Sequence, residues 1–444
     1  MVGASMAGLC AARVLSQRFG EVVVFDRDEV PDHAQPRTRV PQDRHPHLLL
    51  NAGARLLEEW FPGIARELEE AGAVDVDLCA DFLWHQSGGL QRRPASRLRG
   101  PSMSRPLLEH TVRHRVSLLP NVLIRSGETV SGLLADGGRI TGVRLGAGDE
   151  VPAGLVVDAT GRQARSIGWI GELGFDPPRT SVVKVDTTYV SRRFRRQTAP
   201  ARDWKAAGII GSPESKRLAM ALPMEDDQWI IMVGGLNGES APTGEAGLVA
   251  YAGTFESPAI ADLMRDSEPA GPIVMHRFPA NQRRHVERLR RFPLAWLPIG
   301  DAVCSFDPIY GQGMTAAAQQ AAVLAECLDR AGALDRSFSR SYFKAAARVV
   351  AVPWSIAVGG DFAYPGTTGA KPFGTDLLNR YNDQVVIAGQ RDGAVVIRFN
   401  EVISLVRRPE SLLAPWFVAR VLYNAWRVRL SRTAAAAGPR VVGA

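Results

Sequence analysis

The chain has 444 residues, 45% of them hydrophobic and 22% charged, so it can bury a large core and accommodate two structural units with a helical appendage. Its formal net charge of +7 comes mostly from arginines dispersed among acids, with no basic run or nucleic-acid motif, which argues against a nucleic-acid partner. Cys10, Cys79, Cys304 and Cys327 form no CxxC pair, and no apolar run reaches the ~18 residues of a membrane span, so free thiols, no metal, no integral membrane segment and a cytoplasmic location are expected.

Residues 3–18 read as a glycine turn entering a helix, Gly3-x-Ser5-x-x-Gly8, with Met6 and Ala7 inside the turn. A short apolar run then ends in Asp26-Arg27 and reads as a buried parallel strand. A pyrophosphate needs a tight turn, close backbone approach and the free N–H groups of a helix start, and the acid on the next strand accepts from a ribose. Serine replaces the middle glycine but is still small. Only Met1 and Val2 precede Gly3, so the natural chain is expected to begin several residues upstream.

Residues 31–47 form an ordered loop in which Arg37 is a candidate for the pyrophosphate or ribose side, while His45 and His47 are expected to order the loop and not to hold zinc. Residues 48–71 look helical with a break at Pro62-Gly63, and 102–118 form a helix entered through Ser104 and Pro106. Two or three strands surround Asp136-Gly137-Gly138, and a further buried strand ends at Asp158 and Gly161. Between 178 and 285 the pattern is β-rich, clearest at 182–189, 218–222 and 229–233. A strand then enters Gly300-Asp301, followed by Pro308, Gly311, Gly313 and Met314 at the start of an alanine-rich helix. Residues 337–432 are mostly helical and 434–437 are expected to be a disordered tail. Residues 409–432 interleave aromatics with arginines. Packing on the first domain is the simpler account, and a membrane surface the other.

The glycine turn, the Asp158–Gly161 segment and the Gly300-Asp301 segment, in this order and separation, resemble the FAD fingerprints of the para-hydroxybenzoate-hydroxylase superfamily. The resemblance implies an α/β fold: a Rossmann-like, glutathione-reductase-like FAD-binding domain, an inserted β-rich substrate domain and a C-terminal helical region. The expected boundaries are 1–175 for the first FAD-binding part (with a short substrate-facing segment near 76–100), 176–285 for the substrate domain, 286–335 for the second FAD-binding part and 336–444 for the helices. It also implies that Asp301 holds the ribityl chain, that the 308–313 loop and the following helix start face the isoalloxazine ring, and that Arg105 contacts the flavin. A helix N-terminus there suits the anionic reduced flavin.

Val40-Pro41-Gln42-x-Arg44-His45-x-His47, Leu222-Pro223-Met224-Glu225-Asp226, residues 306–314 and Asp361-x-x-Tyr364-Pro365-Gly366 resemble the bacterial polyether epoxidases and their relatives. Asp307 stands where those enzymes are expected to carry asparagine or another residue. The implied activity is a single-component monooxygenase: NADH or NADPH reduces the flavin transiently, and O2 gives a flavin C4a-hydroperoxide that epoxidises or hydroxylates a secondary metabolite, as in antibiotic biosynthesis. The alternatives are a flavin reductase of the geranylgeranyl-reductase type and a non-redox flavin cyclase. No catalytic acid or base stands out. Alternation along strands suggests Phe82, Trp84, Met220, Leu222, Trp229, Met232 and Phe306 as pocket walls, favouring a lipophilic polyketide or terpenoid.

Overall fold

The computed structural model describes residues 1–37, 39–197 and 202–436. Two sheets organise it. In the first, Val122–Arg125, Val22–Phe25, Val156–Asp158 and Trp296–Pro298 run parallel, and Val2 bridges the inner pair by parallel contacts to Phe25 and Asp158. That central position is hydrogen-bonded on both sides: Val2 N–H donates to Val157 O at 2.9 Å and Phe25 N–H to Met1 O at 3.0 Å. Gly3, Asp26, Asp158 and Gly300 therefore emerge at or beside the carboxyl ends of these strands, where open α/β sheets bind their ligands.

The helix Met6–Leu15 packs on the alanine-rich helix Gly313–Asp329. Small residues are required where the turn closes. A Cβ on Gly8 would lie 1.9 Å from Gly3 O, and one on Gly300 would lie 2.6 Å from the Ala7 Cβ. Gly3 itself has φ +106°, which disfavours a side chain.

The second sheet has eight strands, with the order Cys304–Ser305, Val274–Arg284, Thr180–Arg195, Gln228–Gly235, Arg217–Met224, Ala206–Ile210 and Phe82–Gln86; Thr368–Gly369 pairs off this path with Thr180–Arg195. Phe82–Gln86 joins Ala206–Ile210 in parallel although more than a hundred residues separate them in the chain. Alternation divides its faces. Ala219, Ala221, Trp229, Ile231 and Val233 pack under the helices Glu245–Ala252 and Ala259–Asp266, whereas Met220, Leu222, Ile230 and Met232 point to the other side.

The last quarter is helical: Arg336–Asp361, Thr375–Gly389, Gly393–Ile403 and Pro415–Ala436. The helix Pro415–Ala436 buries Phe417, Val421 and Ala425 against Val385, Val395 and Val402, so it packs on its helical neighbours and not on the parallel-sheet unit. Helix continues through Ala436, which corrects the expectation of a disordered tail from 434; residue 437 lies outside the described residues. No helix of the described residues is long and apolar enough to cross a membrane.

Candidate active site

One cavity of about 760 Å³ brings the sequence signals together. Gly3, Ser5, Met6, Ala7, Asp26, Arg27, Arg37 and Arg105 line it, as do Gly161, Asp301, Pro308, Gly311, Gly313 and Met314. Its wall continues over Phe82, Trp84, Met220, Leu222, Met232 and Phe306. Four candidates are not in the wall. Gly8 and Gly300 act through close packing behind it. Asp158 is fully buried, accepting from Thr160 N–H at 2.8 Å and from Ser166, so it shapes the turn that presents Gly161.

Trp229 is a correction. It lies three positions before Met232, an odd spacing that puts the two on opposite faces of a strand, and Trp229 belongs to the core beneath the two short helices. Trp229→Ala is therefore expected to lower stability by roughly 3–5 kcal/mol, read by urea unfolding, while leaving flavin affinity unchanged.

At the nucleotide turn lies a buried ion network. Asp26 accepts from the Ala4 amide at 2.7 Å, and Arg37 donates to both Asp26 (2.7 Å) and Glu109 (2.8 Å). The Ser5 hydroxyl donates to Glu109 at 2.6 Å and accepts from Arg105 at 2.8 Å. Serine at the second turn position thus joins an acid to a base and is more than a small residue. Glu109 was not anticipated from the sequence. Its only local sign is a position four residues after Arg105 on the helix Arg105–Ser117. The surrounding Arg105 and Arg37 charges and the Ser5 hydroxyl outweigh burial and hold its carboxyl below the usual range.

These residues fit a flavin dinucleotide. Arg37 Nε and Arg105 Nε are buried donors without a protein partner. The helix Met6–Leu15 has no side-chain cap at Ser5, and Gly313–Asp329 has none at Gln312, so both first turns leave amides for an anion. Among the described residues the Asp301 side chain makes no hydrogen bond or ion pair and is open to accept from hydroxyls. Burial raises its pKa, against the lowering pull of Arg105, Arg162 and Arg284.

The 308–313 loop is anchored by two buried acids. Asn281 links them, accepting from the Asp307 amide at 2.7 Å and donating to Asp361 at 2.6 Å, while the Tyr310 hydroxyl donates to Asp361 at 3.2 Å. Burial raises both carboxyls, and each charge opposes ionisation of the other. Asp307 is thus part of a fastening, and Asp361, first noticed as part of a motif, is its second half.

On the sheet side, His45 holds the loop to the strand Thr180–Arg195, with Nδ1 2.8 Å from Ser191 Oγ, its ring against Tyr189 and near His276. His47 Nδ1 lies 2.8 Å from the His45 carbonyl, which can only accept, so the proton sits on Nδ1 and Nε2 carries a lone pair. Burial brings both histidines down to about 3 and keeps them neutral. Both line the cavity, as do Tyr189 and His276, which the sequence reading did not single out. The described residues contain no group of three or more side chains suited to a metal.

No family model matches the chain. It is 32% identical over 383 residues to Protein Rv3254 of Mycobacterium tuberculosis, covering 83% of this chain and 81% of that protein. It is 28% identical over 376 residues to kynurenine 3-monooxygenase of Salinispora arenicola, covering 75% and 74%. Its fold is that of the FAD-dependent monooxygenase PqsL of Pseudomonas aeruginosa, with TM-score 0.60 at 20% identity over 82% of this chain and 97% of that one. The fold is the one that FAD-dependent monooxygenases share, and the residues gathered in the cavity fit a flavin dinucleotide. The chain belongs to the family that includes Protein Rv3254.

Proposed function

We propose that the chain is a single-component FAD-dependent monooxygenase that takes electrons from NAD(P)H and one oxygen atom from O2 to epoxidise or hydroxylate a lipophilic secondary metabolite of the polyketide or terpenoid class. The observation that carries this reading is that the dinucleotide cradle and an apolar wall share one cavity. In this reading residues 1–175 and 286–335 bind FAD, 176–285 form the substrate unit and 336–444 close it on the helical side.

Bound FAD supplies the electron transfer and oxygen activation, which no protein side chain can provide. The chain's own residues bind, orient and exclude water. The Gly3–Gly8 turn, Arg37 and Arg105 hold the pyrophosphate, and Asp301 accepts from the ribityl hydroxyls. The helix start at Gly313 favours negative charge beside it. Phe82, Trp84, Met220, Leu222, Met232 and Phe306 keep the reacting region dry. For a hydroxyl-bearing ring, His47 Nε2 is an acceptor in the wall, a group the alkene reaction does not need.

Asp301→Ala is expected to weaken FAD binding about 10- to 150-fold, the loss of roughly 1.5–3 kcal/mol from hydrogen bonds to a charged group, in a fluorescence titration. An unchanged affinity removes Asp301 from the site. The reaction class is tested with labelled O2, NADPH and a panel of polyketide and terpenoid alkenes and phenols. A product carrying one labelled oxygen supports the reading. A product that has only gained hydrogen, or an isomer of unchanged mass, contradicts it.

A further inference from the structure

Ten of the sixteen exposed large hydrophobic residues among those described lie beyond residue 370. Four of them, Trp416, Tyr423, Trp426 and Leu430, are about half exposed and are spaced seven, three and four residues apart on the helix Pro415–Ala436. At 100° per residue that spacing makes one stripe, opposite the Phe417, Val421 and Ala425 face that packs inward. The helix has no aspartate or glutamate, and its charged residues are Arg420, Arg427, Arg429 and Arg432. Arg427 lies along the stripe, donating to the Tyr423 hydroxyl at 3.1 Å.

We propose that this face docks the protein on an anionic lipid surface. Tryptophan and tyrosine are side chains that settle at headgroup depth, and arginines beside them are drawn to negative lipid. A second copy of the chain is the poorer occupant. A two-fold contact through the stripe would set Arg427 of each copy near the other, with no acid on either helix to answer it. The position also has a use. Helices Thr375–Gly389 and Gly393–Ile403, on which Pro415–Ala436 packs, contribute Val386, Val395, Phe399 and Ile403 to the cavity wall. Docking brings that wall near a reservoir of lipophilic compounds, although the docking itself does not depend on the oxygenase reading.

The test is co-sedimentation of the full-length, flavin-loaded protein with vesicles of phosphatidylcholine alone or mixed with phosphatidylglycerol, at low and high salt. Binding to the mixed vesicles, weakened by salt and by removing the anionic lipid, is expected. Trp416→Ser, Tyr423→Ser and Trp426→Ser together should reduce it by about tenfold or more, with flavin content and thermal transition kept because all three are exposed. Arg427→Glu should reduce binding with the aromatics intact. Absence of binding to the anionic vesicles overturns the proposal, as does binding that the triple variant retains. A solution dimer that the triple variant abolishes also overturns it, assigning the stripe to a second copy.

Discussion

Arg37→Leu is expected to yield protein that either fails to retain FAD or unfolds at markedly lower urea. Arg37 is buried and its guanidinium is divided between Asp26 and Glu109, both also buried. Without it, Asp26 loses its ion pair while Glu109 keeps Arg105 and Arg113, and leaving one buried charge unpaired costs roughly 3–5 kcal/mol. Asp26 also receives the Ala4 amide, so the loss reaches the backbone that a pyrophosphate must approach. Arg37→Lys should recover little, because an ammonium cannot span two acids as a planar fork does. The checks are the flavin-to-protein ratio after gel filtration and the urea midpoint. A leucine variant with full flavin content and an unchanged midpoint would show that the network is not part of the cradle.

The second large effect is on acid stability. Burial depresses His45 and His47 to about 3 in the folded protein, helped by the Arg105 charge beside His47 and by the repulsion that protonating neighbouring histidines would bring to His45. Below pH ~6.5 the unfolded chain takes up protons that the folded chain refuses. The stabilisation from neutral imidazoles is therefore complete above pH ~6.5 and is lost as the pH falls toward 3. Each histidine contributes at most about 1.4 kcal/mol per pH unit, so the pair accounts for on the order of 3 kcal/mol between pH 7 and 5. Asp43, raised to about 6 chiefly by burial, and Asp307, raised by burial, act with the opposite sign. Comparing variant with parent isolates the imidazoles. His45→Asn with His47→Gln should flatten the acid limb of the urea-midpoint profile, and an unaltered limb would assign acid lability elsewhere.

The parts that could be read from the chain are those whose chemistry is local. Gly3, Ser5 and Gly8 sit within one turn, and the acid on the following strand lies where the fold needs it. The Gly300-Asp301 segment and the 308–313 loop are equally compact, and all reach one cavity. What stayed hidden depends on contacts between distant segments. Ser5 meets Glu109 across 104 positions, and Thr187 meets Asp307 across 120. No spacing rule connects such pairs. Trp229 shows the other kind of failure, since a strand's two faces are equally apolar when helices cover one and a cavity the other. His45 and His47 were legible as ordering the loop, but the lone pair on His47 follows only from the carbonyl against its other nitrogen. Likewise the periodic stripe at Trp416, Tyr423 and Trp426 marks a helix face without telling whether that face turns inward; the inward face is the one carrying Phe417 and Val421.

Under the proposed function the chain directs oxygen through a bound flavin to another molecule. The most direct measurement reduces the FAD-loaded protein with NADPH under anaerobic conditions and then mixes it rapidly with oxygenated buffer while the flavin spectrum is followed. A transient species that is neither reduced nor oxidised flavin, formed before the oxidised spectrum returns, is the predicted result. Reduced flavin that returns slowly to the oxidised form with no such species, even with lipophilic alkenes and phenols present, would contradict the account.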